Sequence, residues 1–283
     1  MATVYISPSG AGTGSGDSEA NAVNWNSGAG LATAETAAGA NGTIYFLSGN
    51  YGFGGTEIFD GDGITYESIE VNGAVLGDSG TLRELSLGSG TNGGQTLRNF
   101  KFVDVRIEGQ NGTTENQLVE NCYISAPTAR DYNTSTTNGL QAQSYASGKY
   151  LTFSKCVIEI NVSTSGLRIL QGNAYKLNSC TINITTGSAT DIGWSYGDPA
   201  EIKNCIFVSD NDSAISSTTG SGTTGRGDFA TYSTFSSFYQ MGSTNDSGGT
   251  NNLYDTNPLF VNASEGDYRL RPSSPCINAG TAS

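Results

Sequence analysis

Apolar and polar positions alternate over short stretches throughout the chain, and one arrangement recurs in LVENCYIS at 118–125, LTFSKCVIEI at 151–160, YKLNSCTINI at 175–184 and AEIKNCIFVS at 200–209. With each cysteine taken as position zero, the residues three before and two after are always apolar. They are Val119 and Ile124 around Cys122, Phe153 and Ile158 around Cys156, Leu177 and Ile182 around Cys180, and Ile202 and Phe207 around Cys205. The frame extends to segments without cysteine: Leu82, Leu85 and Leu87; Phe102, Val105 and Ile107; Ala230, Ser233 and Phe235. Alternation of period two over four to eight residues predicts strands, so these are seven copies of one strand. Their zero positions are 20, 17, 34, 24, 25 and 28 residues apart, one structural unit joined by loops of changing length.

Periods in this range belong to solenoids, and short Gly-rich β units favour a β-solenoid over leucine-rich or helical repeats. Stacked coils set equivalent residues about 4.8 Å apart, so Cys122, Cys156, Cys180 and Cys205 are expected to form an interior ladder. A second strand follows most copies, in GLQAQS at 139, GLRILQ at 166, TDIGWS at 190 and SAISS at 213, which gives each coil more than one face. The Ala-rich stretch at 31–38 predicts a short helix covering one end, and Pro272 and Pro275 end ladder pairing at the other.

Composition supports many tight turns and no long helix. The 283 residues include 39 Gly and only 14% charged residues, so polarity comes from Ser, Thr, Asn and Gly. A net charge of −13 repels phosphate backbones, and no nucleic-acid partner is expected. Histidine is absent, which excludes triads built on it. No stretch is apolar for 18 residues, and MATVYISPSG does not read as a signal peptide, so no membrane partner is expected. Five cysteines, four of them in one repeat position, read as buried reduced thiols rather than a disulfide framework.

The repeats, together with TVYISPSGAGTGSG, LATAETAAGA and NGTIYFLSGNY near the start and TNPLFVNASEGDYRLRPSSPCINAG near the end, resemble the right-handed parallel β-helix (pectate-lyase-like) superfamily. The resemblance implies an all-β, single-stranded right-handed parallel β-helix of roughly ten coils with a short N-terminal capping helix. One domain is expected over 1–283, with a cap at 1–43, coils at 44–240 and a closing segment at 241–283. Enzymes of that superfamily are mostly polysaccharide lyases and hydrolases, which need a paired set of carboxylates or a basic residue, often with calcium.

Against that requirement the sequence offers few candidates. Gln141, Arg168 and Asp191 fall on the second strand as a column of outward positions, with Arg168 and Asp191 as weak catalytic candidates; a solvated strand face is the competing reading. Asp60 and Asp62 in FDGDGIT have a spacing that can wrap calcium, but without further acids a turn is the better reading; no other cofactor is implied. Tyr145, Trp194 and Tyr196, with Gln141, offer an aromatic and amide set suited to sugars, although core or loop packing is the favoured reading of the rings. The insertions at 128–138 and 217–228 are placed on one edge, and GRGDFA at 225–230 reads as chance.

The resemblance points most to bacteriophage virion components: a non-enzymatic structural or adhesive β-helix, decorating a capsid or associated with a tail. Expected partners are other virion proteins, further copies in a homotrimer and a cell-surface polysaccharide. The alternative is a polysaccharide lyase acting on an acidic polysaccharide, with Arg168 as base. The expected location is the virion, or else the exterior, reached without a visible signal peptide.

Overall fold

The computed structural model describes residues 2–26, 29–78, 83–88, 93–109, 115–125, 138–142, 148–161, 167–171, 175–185, 192–195, 201–209, 217–218, 223–224, 233–234, 236–239 and 250–280. One coil consists of strands Thr96–Arg98, Lys101–Val103 and Val105–Gly109, and the next of Gln117–Glu120, Tyr123–Ser125 and Asn138–Ala142. Each strand pairs in parallel with its equivalents in neighbouring coils, for example Val119 beside Leu97 and Phe153. The result is a parallel β-solenoid with three long sheets of 10, 9 and 8 strands. One hydrophobic cluster runs through its interior from Val4 to Phe207.

Coils that supply all three sheets begin with Thr43–Phe46 and end with Ser217–Thr218, fewer than the roughly ten expected. The chain near both ends has other uses. Thr3–Ser7 and Val23–Asn24 extend only the first sheet, Leu253–Tyr254 only the second, and Phe260–Asn262 pairs antiparallel with Asp267–Leu270 in a separate hairpin.

The corner between the first two sheets explains why Asn precedes cysteine. The residue before the zero position is left-handed in each of these coils: Asn99 (φ 65), Asn121 (φ 53), Lys155 (φ 55), Ser179 (φ 56) and Asn204 (φ 54). That conformation crowds Cβ against a carbonyl, and Asn is among the residues that tolerate it best. The turned N–H groups of Asn121, Lys155 and Ser179 donate to the next coil, to Ser154 O, Asn178 O and Lys203 O, each at 2.9 Å. Asn121 Nδ2 also donates to Asn99 Oδ1 at 2.8 Å.

Just past the corner, the side chain of the following residue enters the core. Phe100, Cys122, Cys156, Cys180, Cys205 and Ser236 occupy this place in successive coils, all buried. The aromatic member stands where the core is lined with rings, 5.0 Å from Phe46 and 5.8 Å from Phe102. In the next four coils cysteine, which behaves as a small apolar group, takes the place. The thiols reach backwards, Cys156 donating to Val119 O at 3.4 Å and Cys180 to Phe153 O at 3.3 Å. All five cysteines are free, and burial pushes the Cys156 and Cys205 thiols up, so they hold their protons.

Three of the seven expected copies are out of frame. Leu85 and Val105 lie on third-sheet strands, Arg83–Leu87 and Val105–Gly109, and Ser233 pairs with Ile202, three residues before the corner. The true counterpart of Cys205 is Ser236, whose Oγ accepts from Cys205 N at 3.2 Å. Period-two alternation is the same in all three sheets, so without a cysteine to mark the corner the frame slips. Leu82, Ala230 and Phe235 lie outside the described residues.

Helix α1 (Ala29–Ala38) begins two residues before the expected 31–38 and packs against Thr3–Ser7, Val23–Asn24 and Thr43–Phe46 through Leu31, Ala34 and Ala38. The closing segment first adds Leu253–Tyr254 to the end of the second sheet. Its hairpin lies on the flank of the second sheet, where Tyr268 Oη donates to Glu159 Oε1 at 2.5 Å, Asn183 Nδ2 donates to Tyr268 Oη at 2.9 Å, and Tyr123 Oη donates to Glu159 Oε2. The carboxylate, rather than an open ladder edge, fixes its position.

Two measurements check this core. A thiol reagent added to native protein should modify Cys276, the one partly exposed cysteine, in a fast phase and the other four only on denaturation; two or more fast thiols would contradict the column. Ser179→Asn should raise the stability measured by urea unfolding by about 0.5 kcal/mol, since Asn relieves left-handed strain that Ser does not.

Candidate functional site

The third sheet gathers the residues that the sequence marks for chemistry. Gln141 lies on Asn138–Ala142, Arg168 on Leu167–Gln171 and Trp194 on Ile192–Ser195, three successive strands of that sheet. Their register separates them. Gln141 stands beside Glu108 and Gln171, whereas Arg168 stands beside Asn138 and Gly193, so the two do not share the column expected of them. Trp194 pairs with Leu170, which continues through Leu140 to Ile107 and Leu85, and these last two are buried. Asp191, Tyr145 and Tyr196 lie outside the described residues, as does GRGDFA.

A charged group that sequence reasoning missed occupies the same sheet. In Arg83–Leu87 and Val105–Gly109, alternation sends Leu85, Leu87, Val105 and Ile107 inward and leaves Glu84, Arg106 and Glu108 on the outer face. Arg106 lies directly beside Glu84 in the ladder and two residues from Glu108 on its own strand. Its Nη2 donates to Glu84 Oε2 and to Glu108 Oε2, both at 2.6 Å. The two acceptor oxygens are therefore no farther apart than twice that distance.

The cluster is sheltered: side-chain exposure is 13% for Arg106, 14% for Glu108 and 31% for Glu84. Burial raises the Glu108 carboxyl above its ordinary range, and the Arg106 guanidinium beside it works the other way. Ser86, fully buried, is the neighbour of Glu108 in the preceding coil, and Gln141 is its neighbour in the following one. Chemically this is a fixed set of strong donors and acceptors, two carboxyl groups around one guanidinium. A guanidinium held by two carboxylates is a poor proton acceptor, and Glu108 is suited to exchanging hydrogen bonds with hydroxyl groups. The signal was in the sequence as RELSL followed by VRIEG, but only a correct frame aligns Glu84 with Arg106.

Asp60 and Asp62 sit between Thr56–Phe59 and Thr65–Ser68. Asp62 presents its carbonyl oxygen to Asn41 N at 2.8 Å. Among the described residues, no group of three or more His, Cys, Asp or Glu side chains is placed to hold a metal ion.

No known family model matches the sequence, and no curated protein is similar enough to count as a relative. The β-solenoid architecture accordingly stands on strand order and register.

Arg106→Ala would leave Glu84 and Glu108 facing each other in poorly hydrated surroundings. Unfolding by urea should show a loss of about 2 kcal/mol at pH 8, below the range for fully buried pairs because Glu84 is partly exposed. The loss should shrink at pH 5, where protonation of one carboxyl relieves the repulsion. An equal loss at both pH values would contradict this electrostatic reading.

Proposed function

We propose that the chain is a structural and adhesive β-solenoid protein that contacts a cell-surface polysaccharide through the outer face of its third sheet. Its proposed setting is a bacteriophage virion, as a capsid decoration or tail-associated component, with further virion proteins or copies of itself as neighbours. The observation that carries the reading is the Glu84–Arg106–Glu108 cluster with Gln141 and Gln171 next to it in register. Such a surface recognises hydroxyl-rich ligands through preset hydrogen bonds while its own charges are satisfied. A rigid ladder with few titrating groups also suits a particle that must persist outside the cell.

A depolymerase is the second reading, favoured by the closeness of Glu84 and Glu108, since glycoside cleavage uses two carboxyl groups a few ångströms apart. Against it stands Arg106, which both carboxylates already engage.

Purified protein incubated with an array of bacterial surface polysaccharides separates the two. The adhesive reading expects retention of a polysaccharide without new reducing ends or double bonds, and binding weakened about tenfold by Glu108→Gln or Gln141→Ala. Cleavage products that disappear with Glu108→Gln would establish the depolymerase instead. Full binding by both variants would remove this face from the account. The virion setting is tested by sedimentation of the protein with intact particles, and its absence from every particle fraction would overturn it.

A further inference from the structure

We infer that the closing segment is an exchangeable arm: the seat it occupies on its own second sheet also takes the arm of a second copy of this chain, so that two copies pair by trading arms. The inference goes beyond the glycan-binding reading and does not depend on it, the seat being on a different sheet.

The seat is complete without the arm. It consists of Tyr123, Glu159 and Asn183, on the outer face of Tyr123–Ser125, Val157–Asn161 and Thr181–Thr185, three successive strands of the second sheet. Tyr123 Oη donates to Glu159 Oε2, which leaves Oε1 for a donor from outside the sheet. In the closed chain that donor is Tyr268 Oη at 2.5 Å, while Asn183 Nδ2 donates to the Tyr268 oxygen at 2.9 Å. One coil further on, Gly280 lies so close to the corner that a Cβ there would come within 2.9 Å of Asn204 Oδ1.

The arm has no hold of its own. Phe260–Asn262 and Asp267–Leu270 pair only with each other, and an isolated two-stranded hairpin is marginal in water, so it needs a seat. Tyr268 is buried there, edge to face with Phe260 at 5.2 Å, yet lies outside the hydrophobic cluster of the interior. Lifting the arm therefore leaves that cluster intact.

The joint favours exchange. Leu253–Tyr254 is last on the second sheet, with Ser237–Tyr239 and Ile206–Ser209 between it and Thr181–Thr185, so the chain doubles back over two strands to reach its seat. The reversal is made in residues 255–259, which carry left-handed residues at both ends, Asp255 (φ 49) and Leu259 (φ 52). Aspartate tolerates that conformation, whereas leucine is strained by it. A short joint under strain favours the opened form, in which the arm runs on past the last coil and reaches another molecule. The arm makes the same contacts in its own seat as in a partner's, so joint strain and protein concentration decide between them.

Two variants test this on the full chain. Tyr268→Ala spoils the arm and keeps the seat; Glu159→Ala spoils the seat and keeps the arm. Each alone lacks the contact in the closed and the exchanged form alike. Refolded together from urea and followed by native mass spectrometry, they restore one contact only when the arm of the Glu159→Ala copy sits on the Tyr268→Ala copy. The mixed dimer should exceed either like dimer by about tenfold or more, the effect of one hydrogen bond to a carboxylate. Leu259→Gly, which accepts the left-handed conformation freely, should lower the dimer fraction of the otherwise unaltered protein about tenfold at equal concentration. Mixed and like dimers in equal amounts, no dimer in any sample, or a dimer fraction that Leu259→Gly leaves unchanged would overturn the inference.

Discussion

Parallel in-register pairing is the constraint from which the rest of this molecule follows. Each residue lies directly over its equivalent one coil away, at about 4.8 Å, so a side chain must suit two near-copies of its own surroundings. Inside, the requirement produces columns such as Leu76, Phe102, Ile124, Ile158, Ile182 and Phe207. At the corner it sets a left-handed residue at 99, 121, 155, 179 and 204, and a buried cysteine follows the last four of these.

The same stacking governs the outer faces and accounts for the low charge. Like charges in successive coils would repel at short range, and several ionic residues stand within reach of a charge of opposite sign. Arg98 meets Glu120 at 3.0 Å, Lys155 meets Glu120 at 3.1 Å and Arg106 meets Glu84 at 2.6 Å. Elsewhere the columns are filled with neutral residues, as in Thr3, Thr43, Thr65 and Thr96, which lie side by side on the first sheet. The polar third-sheet face is a departure from this economy and carries the proposed role.

How much of this was legible depended on whether the signal was local. The four cysteine coils could be read because corner, interior residue and flanking strands lie within ten residues of one another. The coils at 85 and 105 could not, because alternation alone does not say which sheet a strand joins. Gln141, Arg168 and Trp194 could be assigned to one sheet, but their columns depend on loop lengths that no pattern specifies. Contacts across long stretches were invisible: Tyr268 reaches Glu159 over 109 residues, and Tyr66 reaches Glu35 over 31. A lone acid in an Ala-rich helix and a tyrosine on a later strand look unrelated until the coil brings them together.

The most direct test of in-register stacking is a nuclear Overhauser experiment on protein with labelled isoleucine methyl groups. Ile158 pairs with Ile124 on one side and Ile182 on the other, with all three side chains buried. Cross-peaks should join Ile158 to each of the other two, with none directly between Ile124 and Ile182, which lie two coils apart at about 10 Å. Missing Ile158 cross-peaks, or a strong peak between Ile124 and Ile182, would contradict the solenoid and everything built on its faces.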